Sequence, residues 1–277
     1  MWRKMPATSE GQDLAALRSV GAFIFDMDGV LYRGNTVLPG APELIARLRR
    51  GGIPFLFLTN NSTTPSGEVA RKLCGMGIEA ASEEIMTSSD ATAAFLAIEY
   101  RSARVLVIGE AGIRQALTAV GFELTTDPRL ADVVVVGMDR EATYERLKHA
   151  SLAIQRGARF IATNLDASLP SEEGLIPGAG SLVGMLEIAS GVKAQAIGKP
   201  APDIFRQALV RLGVSHEISA TVGDRPETDI VGGQAARLKT IAVLTGVAKR
   251  DAFMAMQPPP DWVFADLNEL SSAYFGN

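Results

Sequence analysis

Two aspartates stand two residues apart in Phe25-Asp26-Met27-Asp28-Gly29, directly after the apolar run Ala22 to Phe25. Carboxylates at i and i+2 lie on the same side of an extended chain, about 7 Å apart along it, and repel unless a cation or a proton separates them. The pair points to a divalent metal, although a plain strand end with an Asp-Gly turn has the same letters. Thr59-Asn60-Asn61-Ser62 closes a second apolar run with short hydrogen-bonding side chains. Such a row suits an oxyanion or phosphate, and equally a turn or a helix N-cap. Lys199, in Gly198-Lys199-Pro200, is a compact point charge that would neutralise carboxylates or a phosphate, unless it is an ordinary loop lysine. Thr221-Val222-Gly223-Asp224 ends a further run, and Asp229 beyond it would cap a helix or reach back to a metal shell. Each motif is weak singly. Together, run ends bearing Asp/Asp, Thr/Asn, Lys and Asp/Asp hold more organised charge than a solvated face uses.

Those residues need a scaffold, and the chain supplies one pattern throughout. Short β-branched runs alternate with stretches of helical period, as in a parallel sheet covered by helices on both faces, so the predicted fold class is α/β. Strands are predicted at Ala22 to Asp26, Ile53 to Thr59, Arg104 to Ile108, Val133 to Gly137, Phe160 to Thr163, Ala194 to Ile197, Ala220 to Gly223 and Thr240 to Leu244. Helices are predicted at Pro42 to Arg50, Gly67 to Met76, Asp90 to Tyr100, Tyr144 to Arg156, Ser181 to Ala189, Pro202 to Leu212 and Asp229 to Ala236. Gly51, Gly77, Gly121, Gly157, Gly191 and Gly213 follow apolar periodic stretches as C-terminal caps do. Every motif above falls at the carboxyl end of a predicted strand, where open α/β sheets bind ligands. A middle segment with its own strands and helices reads as an insertion, giving a core of 1–87 and 192–277 around a unit at 88–191.

The composition narrows the partners. The chain has 277 residues, 47% of them apolar, 27 Lys plus Arg against 31 Asp plus Glu, and a single cysteine. That excludes disorder, collagen and a disulfide scaffold. A net charge of −4 without a basic block gives no footprint for nucleic acid or an anionic membrane, which leaves small molecules. No apolar run approaches the roughly 20 residues needed to span a bilayer. Arg3 and Lys4 are followed by polar residues, unlike a signal peptide, and the lone Cys74 fits a reducing compartment, so the cytoplasm is expected. Cys74 itself is expected in the core beside Leu73 and Met76.

In this order the four motifs resemble those of the haloacid dehalogenase (HAD) superfamily. Asp26-Met27-Asp28-Gly29-Val30 is similar to its first motif, Thr59-Asn60-Asn61 to its second, Lys199-Pro200 to its third, and Gly223-Asp224 through Asp229 to its fourth. Thr163-Asn164-Leu165-Asp166, Ile176-Pro177-Gly178-Ala179-Gly180 and the length between the second and third motifs resemble the type IIA subgroup. That subgroup includes NagD-like, p-nitrophenyl phosphatase-like and phosphoglycolate or pyridoxal phosphate phosphatases. The resemblance implies a Rossmann-like parallel-sheet core with an inserted α/β cap of the C2 type.

It also implies roles. Asp26 is the nucleophile that forms an aspartyl-phosphate, and Asp28 the general acid and then the base. Mg²⁺ is held by Asp26, the Asp28 backbone carbonyl and Asp224, with Asp229 nearby. Thr59 and Asn60 bind phosphoryl oxygens, and Lys199 stabilises the transition state. Asn61 in the same motif, and Asn164 and Asp166 in the cap, are substrate-binding candidates, though Asn-x-Asp is also an ordinary turn. The substrate is a small phosphorylated metabolite, and a homodimer through the cap is expected by analogy. Pyridoxal phosphate phosphatases carry a histidine where Leu169 stands here, which argues against that substrate.

Asp28 separates a phosphatase from a dehalogenase, which has no alkoxide to protonate. A phospho-aspartate signalling or binding module is the alternative class, since receiver domains also place Asp, Thr and Lys at strand ends. The extra acids and an insertion of roughly 100 residues, in place of the short loops usual in α/β units, speak against it. Gly178, Gly180 and Gly184 do not make a dinucleotide fingerprint, because the spacing is one residue too long and the run follows a Pro-Gly turn. His149 and His216 are too isolated for a zinc site.

Overall fold

The computed structural model describes residues 13–171 and 173–276; the expectation about a leader at Arg3 and Lys4 lies outside them. In chain order the described strands are β1 (Ala22–Phe25), β2 (Tyr32–Arg33), β3 (Thr36–Val37), β4 (Phe55–Thr59), β5 (Ile85–Thr87), β6 (Arg104–Ile108), β7 (Glu123–Thr125), β8 (Val133–Val136), β9 (Arg159–Ala162), β10 (Ser168–Ser171), β11 (Gly174–Pro177), β12 (Gln195–Ala196), β13 (Ser219–Gly223), β14 (Lys239–Val243) and β15 (Trp262–Phe264). They belong to an α/β fold whose chain divides into two compact units. Among the described residues, one unit holds those up to Thr59, Ala70–Ile85 and those from Phe205 onward; the other holds Asn60–Val69 and Met86–Ile204.

The first unit is built on a sheet of order β15-β14-β13-β1-β4-β5. The pairs β1–β13, β1–β4, β13–β14 and β14–β15 are all parallel. Strands of a parallel sheet are covered on both faces and so read as unbroken apolar runs; all four residues of β1 and the first four of β4 are buried. Phe23, Phe25 and Phe57 fill this centre, each contributing about 2 to 3 kcal/mol by leaving water. The helix Ala41–Arg50 buries Leu44, Ile45 and Leu48, begins with Pro42 in its first turn, and ends in Arg47, Arg49 and Arg50, whose charge suits the carbonyl end.

The second unit has its own five-stranded sheet, order β12-β9-β8-β6-β7, with every pair parallel. Val134, Val136, Leu106, Ile108 and Phe160 pack against Leu147, Ile154, Val183 and Leu186 from its helices. β10 and β11 form a separate antiparallel hairpin.

All eight predicted strands are present, with no end moved by more than two residues. The unpredicted strands are short or polar: β2, β3, β5, β7, β10, β11 and β15 have two to four residues each, too few to show a period. The helix Ala111–Ala119 was anticipated only through Gly121 beyond it, and the helices Leu14–Arg18, Arg250–Met254 and Leu267–Phe275 were not anticipated. Cys74 corrects its expectation, because it is exposed. It follows the buried Leu73 on the helix Ser66–Gly75, about 100° farther round, and its thiol donates to the Ala80 carbonyl at 3.3 Å. Gly51 keeps right-handed backbone, and the next glycine, Gly52, takes the positive φ of 64°. Among the described residues no helix is long and apolar enough to cross a membrane.

Candidate active site

In the first unit, β1, β4, β13 and β14 end at one edge of the sheet. The register pairs Phe25 with Val222 and Phe57, and the Asp26 N–H extends the ladder to the Val222 carbonyl at 2.9 Å. Asp26, at the end of β1, therefore lies beside the end of β13. One carboxylate oxygen each from Asp26, Asp224 and Asp229 lies within 4.8 Å of the others. Asp26 is half-buried, whereas Asp224 and Asp229 are 0% and 1% exposed.

Asp229 reaches this group through a wide turn. The N–H groups of Asp229 and Ile230 both point to the Arg225 carbonyl, at 3.1 and 3.4 Å, and the Asp229 Oδ2 accepts the Arg225 N–H at 3.1 Å. A single i→i+5 turn of this kind is a recurrent device at functional sites. Glycines make the room: a Cβ on Gly223 would overlap the Asp229 side chain, and one on Gly29 would lie 2.5 Å from the Asp224 Oδ2.

Two carboxylates about 4 Å apart repel by roughly 4 kcal/mol at an effective dielectric of about 20. Three of them, two with no solvent exposure to speak of, call for positive charge. The donor set is all carboxylate oxygen, which fits a hard divalent cation. Asp28 is exposed, and its side chain is not one of the clustered group. Its backbone bridges to Tyr32, whose phenol is held neutral well above its ordinary range by burial and by the negative charges of Asp28 and Asp26. The Lys72 ammonium sits 4.1 Å from the centre of the Tyr32 ring.

A loop that sequence reasoning missed completes this edge. Beyond β14, the Val247 N–H donates to the Asp224 Oδ2 at 2.9 Å, and the Thr245 hydroxyl donates to the Gly29 carbonyl at 2.6 Å. Arg33 ties the loop down by donating to the Thr245 and Gly246 carbonyls, at 2.5 and 3.0 Å. The only signal for it was Gly246, just past the predicted strand end.

Thr59 ends β4 at the same edge as Asp26, and the residues after it belong to the second unit. There the structure joins Asn60, Asn164, Asp166 and the backbone of Lys199. The Lys199 N–H donates to the Asn60 Oδ1 at 2.8 Å, and the Asn60 Nδ2 donates back to the Lys199 carbonyl at 3.0 Å and to the Asp166 Oδ2 at 3.1 Å. Asn164 donates to the same Asp166 oxygen at 2.8 Å. The Asn60 amide thus has both N–H groups engaged within the protein. Lys199 is only 4% exposed. Asn61 is exposed, and its Oδ1 accepts from the N–H groups of Thr63 and Thr64 at 2.8 and 3.0 Å, as a turn-forming Asn does.

Residues 60–64 are stitched into the rest of this unit. Ser88 donates to the carbonyls of Asn60 and Asn61, and Ser89 to that of Ser62. The Gly112 and Ile113 N–H groups donate to the Thr63 and Ser62 carbonyls, and the Met138 N–H to the Ser62 hydroxyl.

Residues 23–123 match the family described as haloacid dehalogenase-like hydrolase, and residues 196–270 match one described as HAD-hydrolase-like. The chain is 42% identical over 254 residues to an acid sugar phosphatase of Staphylococcus saprophyticus, covering 92% of this chain and 98% of that one. An acid sugar phosphatase of Staphylococcus aureus is 40% identical, covering 91% and 97%. A solved 4-nitrophenylphosphatase from Thermotoga maritima superposes with a TM-score of 0.88 at 35% identity, over 94% of this chain and 99% of that one. A thermostable NPPase from Geobacillus stearothermophilus, solved as a double mutant, gives 0.85 at 41% identity, over 91% and 98%. With the clustered carboxylates inside the matched segments and the likeness running nearly end to end in both directions, the chain belongs to the haloacid dehalogenase-like hydrolases and is a phosphoric monoester hydrolase.

Proposed function

We propose that the chain is a Mg²⁺-dependent phosphatase of small phosphate monoesters, working through an aspartyl-phosphate on Asp26. The substrate class is p-nitrophenyl phosphate, phosphoglycolate, and glycerol or sugar phosphates. The observation that carries this reading is the group formed by Asp26, Asp224 and Asp229 at the carboxyl edge of the first sheet. Mg²⁺ held by Asp26, the Asp28 carbonyl and Asp224, with Asp229 beside them, would neutralise the acids and draw charge from the phosphoryl oxygens.

A carboxylate oxygen of Asp26 attacks phosphorus while the bond to the leaving oxygen breaks, and Asp28, protonated, gives its proton to that oxygen. Asp28, now ionised, takes a proton from water as the water oxygen bonds to phosphorus. The bond from phosphorus to Asp26 then breaks, releasing inorganic phosphate.

Thr59, through its hydroxyl, and Asn60, through its backbone N–H, are assigned to the phosphoryl oxygens, since the Asn60 side-chain donors are engaged elsewhere. Lys199 is assigned the charge that builds up in the transition state. Asn61, Asn164 and Asp166 are assigned to the remainder of the substrate, in a cap at 88–191 inserted between core segments 1–87 and 192–277. We further place the enzyme in the cytoplasm, as a homodimer through the cap, acting on small metabolites and on neither nucleic acid nor membranes.

The test is phosphate release from a panel of monoesters, with Mg²⁺ and with a chelator, for the wild type and Asp26→Asn. Turnover that needs metal and disappears in the variant is expected. Absence of turnover on every ester would overturn the proposal in favour of a phospho-aspartate binding or signalling module.

A further inference from the structure

A lysine that stabilises a transition state is useful only if its ammonium is held in place, and the ammonium is carried by a backbone that must itself be fixed. At Lys199 both backbone polar groups go to one side chain. The N–H donates to the Asn60 Oδ1 at 2.8 Å and the carbonyl accepts from the Asn60 Nδ2 at 3.0 Å. The Asn60 amide therefore clamps the lysine from 139 positions away.

An amide clamp has a weakness: the amide turned over by 180° presents oxygen where nitrogen was, and both bonds to Lys199 are lost. The Lys199 N–H and carbonyl themselves favour one orientation. Asp166 holds the amide to it, because an ionised carboxylate only accepts, and its Oδ2 lies 3.1 Å from the Asn60 Nδ2. A flipped Asn60 would set oxygen against oxygen there.

Asp166 is itself pinned. Its Oδ2 takes a second hydrogen bond, from the buried Asn164, at 2.8 Å. Its carbonyl accepts the Gly180 N–H at 2.9 Å, and the Ser181 hydroxyl donates to the next carbonyl, that of Ala167, at 2.7 Å. A Cβ on Gly178 would overlap the Asp166 carbonyl, and one on Gly180 the Leu165 carbonyl, so the glycines set the loop directly against the start of a helix. This accounts for Gly178 and Gly180, two of the three glycines set aside as a dinucleotide motif; a Cβ on Gly184 would meet nothing within 4 Å. Gly198 serves the other side, since a Cβ there would lie 2.7 Å from the Asn60 Oδ1.

We propose that Asp166 is a positioning residue for Lys199, acting through the Asn60 amide, in addition to any contact it makes with substrate. The inference rests on the reading of Lys199 as the residue that stabilises the transition state. A misplacement of about 1 Å at a reacting group costs about a hundredfold in rate, so loss of the orienting carboxylate acts on kcat.

The experiment measures kcat and KM for Asp166→Ala and Asp166→Asn on p-nitrophenyl, glycerol and sugar phosphates, in the wild-type and Lys199→Met backgrounds. Asp166→Ala is expected to lower kcat by about tenfold to a hundredfold, by a common factor across the esters, on top of whatever its substrate contacts bring to KM. Asp166→Asn keeps an oxygen for the Asn60 Nδ2 and is expected to recover at least about threefold of the kcat that Asp166→Ala loses. In the Lys199→Met background, Asp166→Ala is expected to cost nothing further. An unchanged kcat, or a loss of kcat that persists in full without Lys199, overturns the inference while leaving the role of Lys199 intact. If Lys199→Met retains wild-type kcat, the reading of Lys199 fails, and this inference with it. Should Asp166→Ala melt at a much lower temperature than the wild type, Asn164→Ala, which removes the other donor to the carboxylate, carries the same test.

Discussion

Gly246 stands so close to Asp224 that a Cβ on residue 246 would overlap the Asp224 carboxylate. The glycine is thus part of what aims that carboxylate, together with the Val247 N–H that it accepts. Gly246→Ala is expected to push Asp224 aside and raise the Mg²⁺ concentration for half-maximal activity by about tenfold or more, the usual scale for disturbing a ligand's support. Titrating activity against Mg²⁺ checks it. An unchanged midpoint would show that Asp224 is not a ligand or that the loop yields freely.

Asp28→Asn separates esters by their leaving group. An alkyl alkoxide must be protonated as it departs, whereas p-nitrophenolate is stable without a proton. Formation of the aspartyl-phosphate from glycerol phosphate is expected to slow by about a hundredfold or more. A rapid burst of p-nitrophenolate, stoichiometric with enzyme, is expected to survive because only the later water attack lacks its base. Rapid-mixing kinetics would read both, and equal slowing of the two first steps would count against Asp28 as the acid.

Tyr274 gives a pH dependence of stability. Its hydroxyl donates to the Val20 carbonyl at 2.6 Å, and burial raises its pKa above the ordinary tyrosine value. A group raised in the folded state contributes stability that is fully present below its unfolded value, about 10, and is lost as pH climbs beyond that toward the folded value. Tyr274→Phe is expected to be less stable than wild type by about 1 kcal/mol at pH near 8, with the gap narrowing above pH 10. Urea unfolding at the two ends of that window decides it; a gap of constant size would refute the assignment.

Gly180 reverses an ordinary rule. Alanine in place of glycine in a helix stabilises by up to about 1 kcal/mol. Here the added carbon would meet the Leu165 carbonyl, so Gly180→Ala is expected to destabilise by about 1 to 3 kcal/mol. Thermal melting of the two proteins gives the sign directly.

What the sequence disclosed depended on how local the cause was. Asp26 and Asp224 follow runs whose burial on both faces forces an unbroken apolar pattern, so their place at strand ends was legible. Asp229 was legible as a companion acid, but its approach depends on the i→i+5 turn at Arg225 and on Gly223, which no period announces. The loop from Thr245 to Val247 carries no charge and few letters, so its service to Asp224 stayed hidden. Asn60 was read as a donor to phosphate because its neighbours are short and polar. Its partners, Asp166 and Lys199, lie more than a hundred residues away, and only the folded chain brings the three together. Cys74 was misplaced because one residue along a helix is enough to turn from core to solvent.

The stitching of residues 60–64 to Ser88, Ser89, Gly112, Ile113 and Met138 bears on how such enzymes can be recombined. A chimera that exchanges only residues 88–191 for the corresponding segment of a relative would present a foreign surface to a loop shaped for this one. Asn60, and through it Lys199, would then lose the partners that orient them. A graft intended to change substrate preference while keeping the rate should carry residues 60–64 along with residues 88–191, so that the piece transferred is discontinuous in sequence and continuous in hydrogen bonding.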